Sequence, residues 1–474
     1  MQRICTYTHD SRDRQTKTAW NDNMTPDTSR DYFANGLLKF VDNGVSRSDY
    51  TYNSRNLLKS ESQTLSGQTA SHIVQYEYDA DGLRMKLTDS AGRVVDSNWT
   101  SRAELKSIAA DGLPVLAEYT YNKAGQVSTL THENSIREEK SYDDAGQLLH
   151  NKHFKSTSEV AGHRYVLDAT GRRKQEFFFD GETPDRDYGY DDASQVTSAS
   201  YGNSKTDSYQ YDAMGNRVTA SMAVQNGQAA THYTANSVNQ YSTITDLNPI
   251  VHDANGNLTQ QDGVKYEWDA ENRLLAVTPM IPAAGSKSLI YTYDGQHRRV
   301  TRTIREYGAS GWLNLETSHF IHDGWNVIEE YRLTTSGETL VRNHTWGQDL
   351  GGSTSLQAAG GVGGLLMTEE ISTTSTTAYH YHYDGNGNVT EVTDANGNEA
   401  ATYRYDVFGN TLVANGSYAE QNRYRFSTKP LDSEVPNAEL YYYTYRYYHP
   451  KTGRWPSRDP IEEEGGDKPV WVCL

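Results

Sequence analysis

Two patterns of apolar and polar positions alternate along this chain, and both carry the period of a β-strand. In the first, tyrosines stand at i and i+2, as in Tyr76-Glu77-Tyr78, and so share one face of an extended segment. In the second, an apolar-alternating run such as Gln126-Val127-Ser128-Thr129-Leu130 leads away again as a return strand. Between the two sits an Asp or Asn, whose side chain accepts backbone N–H bonds and opens a turn. Three residues further on, Gly takes the φ > 0 position that closes a hairpin with a bulge. The unit reads Y-x-Y-D/N-x-x-G-N/Q/R and recurs, so the repeat governs the fold.

Good copies run from Tyr76 to Gly82, Tyr119 to Gly125, Tyr209 to Asn216, Tyr291 to Gly295, Tyr381 to Asn388 and Tyr403 to Asn410. Worn copies start at Tyr50, Tyr142, Tyr165, Tyr188 and Tyr266. From Asp143 the acidic position recurs at Asp168, Asp191 and Asp212, steps of 25, 23 and 21 residues. Some twenty residues make two strands of ordinary length and two turns. Hairpin follows hairpin, with no stretch of helical period between them. Such a ladder leaves open edges that invite pairing, unless it closes or winds so that each hairpin covers the last.

Near the end the pattern tightens. Leu440 to Tyr448 reads as one strand, with Tyr441, Tyr443, Tyr445 and Tyr447 on one face and Leu440, Tyr442, Thr444, Arg446 and Tyr448 on the other. Both faces are amphipathic, which predicts a sheet with water on at least one side. His449-Pro450-Lys451-Thr452-Gly453 is a turn signal, and a short strand of Arg454 and Trp455 follows it.

Composition changes the picture in one respect. Leu, Ile, Val and Phe make up about a sixth of the 474 residues, a level that by itself warns of disorder. The 35 tyrosines outweigh the warning, because aromatic burial replaces aliphatic burial in a sheet. A net charge of −18 spread over this length repels weakly, and its sign argues against a nucleic-acid partner. No run approaches the ~18 apolar residues of a membrane helix. The opening MQRICTYTHDSRDRQ has no apolar core of a Sec signal. Cys5 and Cys473 stand at opposite ends, too few for a disulfide framework or a cysteine zinc site.

Candidate chemistry is sparse. The glycine-rich Gln357 to Leu366 has neither the glycine spacing nor the Lys-Ser/Thr of a phosphate loop, so Gly361, Gly363 and Gly364 read as close backbone packing at a bend. His380 and His382 share a strand face at a spacing that can ligate a metal, but no further ligand is fixed, and they read as cross-strand polar residues. His319 and His322 receive the same reading. Asp384 and Asp406 already have a turn-forming job, and neither G-x-S-x-G nor H-E-x-x-H occurs. No catalytic residue, cofactor or metal is assigned.

Two stretches resemble the RHS / YD-repeat family. Arg446, Tyr447, Tyr448, Pro450, Gly453, Arg454, Trp455, Asp459 and Pro460 match the R-Y-Y-x-P-x-x-G-R-W…D-P run of its repeat-associated core. Trp346, Gly347, Asp349, Gly361, Gly363 and Gly364 match its W-G-x-D-L…G-G-V-G-G-L-L junction. The resemblance implies an all-β fold, in which tandem hairpins form a long antiparallel strip wound into a spiral, cocoon-like and here incomplete shell. It divides the chain into a polar, degenerate-repeat segment (1–49), YD repeats (50–345), the repeat-associated core (346–466) and an aberrant tail (467–474).

It further implies a non-enzymatic, secreted or cell-surface protein of polymorphic-toxin type, whose shell encloses and helps deliver a C-terminal effector. The partners expected are that effector polypeptide or its delivery machinery, with no nucleic acid and no membrane span. Many family members cut themselves at a second D-P-x-G-L site beyond the first D-P. Here Asp467-Lys468-Pro469 follows Gly465-Gly466 instead, so cleavage at Asp459-Pro460 is not expected, and Arg454, Arg458 and Asp459 are expected to pin the last turn. The alternative reading is an extracellular module whose exposed Tyr and Trp faces stack on cell-surface carbohydrate.

Overall fold

The computed structural model describes residues 4–111, 115–179, 181–202, 205–222, 230–247 and 249–460. The tail 467–474, Cys473 and the last six residues of the expected core lie outside them. Strands make up nearly all the regular structure, with one 3₁₀ turn at Phe426–Thr428. A 22-stranded sheet runs from Cys5–His9 to Tyr241–Ile244, a 14-stranded sheet from Val251–His252 to Thr411–Asn415, and a three-stranded sheet joins Leu431–Asp432, Leu440–Tyr442 and Tyr447–Tyr448. Within each large sheet every strand pairs antiparallel with its neighbours in sequence, the end strands on one side only, so both are simple meanders. Neither closes into a barrel.

The repeat unit builds these hairpins by the expected chemistry. Asp212 Oδ1 accepts the amides of Met214 and Asn216 at 2.9 and 2.8 Å, and Gly215 sits at φ 81°. Asp79, Asp384 and Asp406 repeat the arrangement with Gly82, Gly387 and Gly409. The register slips by one residue at the tyrosine before each Asp, between Glu77 and Tyr78 or Arg404 and Tyr405, which is the predicted bulge. In the copy beginning at Tyr291 the residue at positive φ is His297, not Gly295, so its glycine stands out of place. An Asx turn fixes the chain path strongly enough to hold a non-glycine residue there.

In many of the units the second tyrosine has a further task. Its hydroxyl donates to a carbonyl at the start of the preceding return strand, as in Tyr121 to Leu105 (2.7 Å), Tyr211 to Val196 (2.8 Å), Tyr293 to Leu274 (2.6 Å) and Tyr405 to Val389 (2.7 Å). The bulge frees that carbonyl from the ladder, and the phenol satisfies it. Trp99, Trp268 and Trp346 do the same through their indole N–H.

The layers follow from burial. Along His72–Tyr78 of the first sheet, His72, Val74 and Tyr76 are buried while Ile73, Gln75 and Glu77 are exposed. That buried face packs on the second sheet, with Val74, Tyr76 and Leu87 against Ile321, Ile328 and Tyr331, and with Leu105, Ile108 and Tyr119 against Leu366 and Met367. The second sheet is covered on its other face too, where Tyr381, Tyr403 and Tyr405 meet Tyr418, Tyr424, Phe426 and Tyr441 from the C-terminal segment. Tyr266, Tyr291 and Tyr293 likewise meet Leu440, Tyr442 and Tyr447. Where both faces are covered the strands are buried nearly throughout, as along Val389–Asp394, whereas the far ends of long strands such as Gly311–Asp323 reach solvent.

One expected element is overturned. Leu440 to Tyr448 is not one strand but a tight hairpin, in which Tyr443 N donates to Arg446 O at 2.8 Å and Thr444 adopts φ 67°. Tyr441, Tyr442, Tyr447 and Tyr448 are therefore all buried, instead of half of them facing water, and only Tyr445 at the tip is exposed. Period-two alternation cannot survive the positive-φ residue in the middle. Arg454 forms a single bridge to His449, not a strand with Trp455.

Candidate functional site in the C-terminal segment

The centre of the segment is one carboxylate. Asp432 is fully buried, and its Oδ2 lies 2.6 Å from Arg299 Nη1 and 2.9 Å from the Tyr291 hydroxyl. Its Oδ1 lies 2.7 Å from Arg302 Nε and 2.6 Å from Arg423 Nη2. Burial alone would push this carboxyl up, but the three guanidiniums outweigh it and hold the group well below the usual carboxylate range. Two of the arginines belong to the second sheet, so Asp432 fastens the C-terminal segment to it.

The residues of the R-Y-Y…D-P run are brought together around the last turns. Arg446 Nη2 pairs with Asp459 Oδ2 at 2.8 Å, and its guanidinium lies 4.3 Å from the Trp455 ring centre. The Tyr447 hydroxyl stands 3.0 Å from that of Tyr293, and the Tyr448 hydroxyl donates to Phe408 O at 2.8 Å. Pro450 O accepts from Gly453 N, and Gly453 sits at φ 65° where a Cβ would come within 2.9 Å of Phe408. Arg454 donates to Asn239 O at 2.7 Å, pairs with Asn216, and covers the Tyr241 ring at 4.0 Å. Leu258 N donates to Pro456 O at 2.7 Å. Pro460 is exposed. Of the three residues expected to pin the last turn, Asp459 is held by Arg446, Arg454 reaches the turns at Asn216 and Asn239 of the first sheet, and Arg458 is exposed.

Beside this turn a cavity of about 910 Å³ opens, lined among others by Arg173, Tyr190, Tyr211, Arg446, Trp455 and Asp459. A second of about 900 Å³ lies by Arg186, Arg404, Tyr441 and Lys451. A folded domain of 100 residues has a radius of gyration of about 13 Å, far more than either void holds.

The junction residues form a knot of their own. Asp349, itself buried, accepts the amides of Gly351, Ala359 and Gly361 at 3.0, 2.6 and 3.0 Å. Gly347 N donates to Gly364 O, Trp346 Nε1 to Val327 O and Gly363 N to Thr428 Oγ1. A Cβ on Gly347 would fall 2.2 Å from the Tyr119 hydroxyl, and one on Gly361 would fall 2.5 Å from Asn326 Oδ1. Loop amides that could cradle a phosphate are here taken by Asp349, which supplies the anion from within the chain.

The histidines are placed differently from the pairs that the sequence offers. His380 and His382 turn their rings toward the first sheet. There His382 meets His132 and Glu138, with Nδ1 3.1 Å from Glu138 Oε1. His319 is joined not by His322 but by His72 and Glu338. His132, Glu138, Arg299, Arg302 and Asp432 escaped sequence reasoning. Their only signal is a charged residue within an apolar-alternating run, as at Glu138 in Ile136–Tyr142 and Arg302 in Arg299–Gly308.

Comparison with known proteins agrees with this architecture. The Teneurin YD-shell family model matches residues 118–310, and the RHS Repeat model matches 366–399 and 383–415. The chain is 28% identical over 281 residues to the "tRNA3(Ser)-specific nuclease WapA" of Bacillus spizizenii, a match spanning 59% of this chain and 10% of that one. It is 24% identical over 453 residues to "Toxin subunit YenC1" of Yersinia entomophaga, spanning 81% of this chain and 44% of the relative. The crystal structure of TcdB2-TccC3-TEV has the same fold, with a TM-score of 0.79 and 19% identity over 98% of this chain and 25% of that one. The chain therefore spans between a tenth and under half of the length of these relatives. Its repeat units, its layered meanders and these matches together set it beside the RHS / YD-repeat proteins in sequence pattern and fold.

Proposed function

We propose that this chain is a stretch of shell wall from an RHS-type toxin or surface protein, one that encloses a C-terminal effector polypeptide and helps deliver it. The observation that carries the reading is the pair of long meanders, whose buried polar groups pair between layers through ion pairs such as Arg298 to Glu61 and Arg84 to Asp323. Such groups build a wall. Cys5–His9 is paired on one side only among the described residues, an edge on which further repeats would continue. Neither of the two cavities described holds a folded cargo, and on this reading further wall completes the enclosure. The nuclease and toxin names belong to relatives of which this chain matches a part, and their activities are assigned here to the enclosed effector. A secreted or cell-surface location, and a delivery machine as the shell's partner, follow from the same reading.

Sequencing the coding region beyond both ends, and expressing the joined product, tests this. The proposal predicts further YD repeats and a polypeptide that trypsin cuts faster once the wall is opened by Asp432→Ala. Flanks without further repeats, or a polypeptide cut equally fast behind intact and opened walls, overturn it.

One observation favours the second reading, carbohydrate binding. Trp325 and Tyr445 are exposed with ring centres 5.1 Å apart, a surface on which a sugar ring could stack. The other tyrosines of the C-terminal hairpin face inward. Glycan-array binding that disappears in Trp325→Ala would support that module, and an array without signal removes it.

A further inference from the structure

Between the first and second sheets lies a knot of imidazoles whose polar atoms are not satisfied by the chain. His132 Nε2 stands 3.2 Å from Glu138 Oε1, and His382 Nδ1 stands 3.1 Å from the same oxygen. The ring centres of His132 and His382 are 4.8 Å apart, those of His153 and His382 are 5.4 Å apart, and those of His132 and His380 are 6.0 Å apart. All five side chains are buried. Yet His132 Nδ1, Glu138 Oε2 and both ring nitrogens of His153 and of His380 make no hydrogen bond within the chain. Buried polar atoms are nearly always satisfied, and each one left alone costs about as much as a lost hydrogen bond. Three of the six stand beside a charged group, Glu138 Oε2 at 3.6 Å from Lys140 Nζ, His153 Nδ1 at 3.7 Å from Glu391 Oε2 and His380 Nε2 at 3.5 Å from Glu133 Oε1, while His132 Nδ1, His153 Nε2 and His380 Nδ1 make no such contact. So many poorly paired atoms at one spot point to a missing partner.

We propose that this knot is a site for one first-row divalent metal ion of the zinc type, held by His132 Nε2, His382 Nδ1 and Glu138 Oε1, with His153 turning to supply the fourth ligand. The first three ligand atoms lie within 4.8 Å of one another. Tetrahedral zinc with ligands at about 2.0–2.1 Å needs edges of about 3.3–3.4 Å, close to the 3.1 and 3.2 Å found from Glu138 Oε1. An imidazole-rich set with one carboxylate suits zinc, copper or nickel and not calcium or magnesium.

The surroundings fit a ligand role. His382 Nε2 lies 2.9 Å from Thr393 Oγ1, and donating there leaves the Nδ1 lone pair for a metal. Lys140 Nζ stands 3.6 Å from Glu138 Oε2, which keeps the carboxylate oriented with Oε1 toward the histidines. The ligands come from Val127–His132, Ile136–Tyr142 and Leu148–Lys155 of one sheet and Thr376–Tyr383 of the other, so a bound ion would staple the two layers together.

The second histidine group makes a natural control. His72 is bonded through both ring nitrogens, to Ser90 and Glu338, and His319 bonds Glu338 as well, so that group is satisfied without an ion.

The test uses the full chain, stripped with EDTA and titrated with cobalt(II) and zinc(II). The proposal predicts one equivalent bound, the visible d–d absorption of a tetrahedral cobalt site, and a melting temperature raised by about 5 °C at ~100-fold excess zinc over its dissociation constant. His382→Gln and Glu138→Gln should abolish all three, whereas His72→Gln should keep them. If those variants fail to fold, the wild-type stoichiometry and spectrum decide. A stripped chain that takes up no cobalt and melts at the same temperature with or without zinc overturns the proposal in favour of buried water. So does uptake that survives His382→Gln undiminished.

Discussion

Arg299 Nη1 lies 2.6 Å from Asp432 Oδ2 across 133 residues of sequence, and both side chains are buried. Arg302 and Arg423 converge on the same carboxylate. Removing it leaves three guanidiniums facing one another out of water, so Asp432→Ala should destabilise the chain by about 3–5 kcal/mol, read from urea midpoints. A loss under about 1 kcal/mol would mean that the carboxylate does not hold the segment.

The same group sets an acid limit. Its folded pKa lies below the unfolded value of about 3.9, so its stabilisation is complete above that pH and fades as pH falls below it. Glu330, held down by Arg342 and His344 against burial, acts in the same direction. Melting temperature should be flat with respect to these two groups above about pH 5 and drop steeply below pH 4. An Asp432→Asn variant should show a shallower drop.

Glu329 has the opposite sign. Burial and then Asp89 push it up to about 7, although it accepts from Ser90 Oγ at 2.6 Å and from Ala91 N at 3.0 Å. The folded state therefore holds this proton more tightly than the unfolded chain, and stability is lost as pH rises from about 4.3 through 7. Glu329→Gln should stabilise the protein at pH 8 by about 1–3 kcal/mol and change little at pH 4. Equal melting temperatures of variant and wild type at pH 8 would refute the assignment.

The phenol-to-carbonyl bonds predict a repeated small cost. Tyr405→Phe leaves Val389 O, and Tyr293→Phe leaves Leu274 O, unsatisfied in a buried layer. Each should cost about 1–3 kcal/mol. Removing an exposed hydroxyl, as in Tyr7→Phe, should cost nothing measurable.

Asp349 holds three loop amides, so Asp349→Ala should cost about 2–4 kcal/mol. Hydrogen exchange should quicken at Gly351, Ala359 and Gly361 before anywhere else. Uniform quickening along the chain would show a general loss of stability instead of a local clasp.

The hairpins were legible because their cause is local: an Asx turn, a positive-φ residue and two tyrosines on one face all lie within eight residues. Even there glycine is not the whole signal: Ala103 after Thr100 and Asn239 after Asn236 close turns in which a side-chain oxygen alone fixes the path. The packing of one sheet on another was not legible. Glu138 meets His382 across 244 residues, and Arg298 meets Glu61 across 237, distances over which no periodicity carries information. Leu440 to Tyr448 misled because six tyrosines and a leucine look alike in a strand and in a hairpin, and the turn at Thr444 carries neither Gly nor Asn. Asp349 was noticed for its motif, but its three amide bonds belong to a loop with no period at all.

The central claim is that the C-terminal segment is a fixed layer over the second sheet, not an appendage to it. Native-state hydrogen exchange read by mass spectrometry tests it most directly. The amides of Leu431–Asp432, Leu440–Tyr442 and Tyr447–Tyr448 should be protected as strongly as those of Val389–Asp394, and should lose protection together in Asp432→Ala. Exchange of those segments within seconds in the wild-type chain, while the meander beneath stays protected, would contradict it.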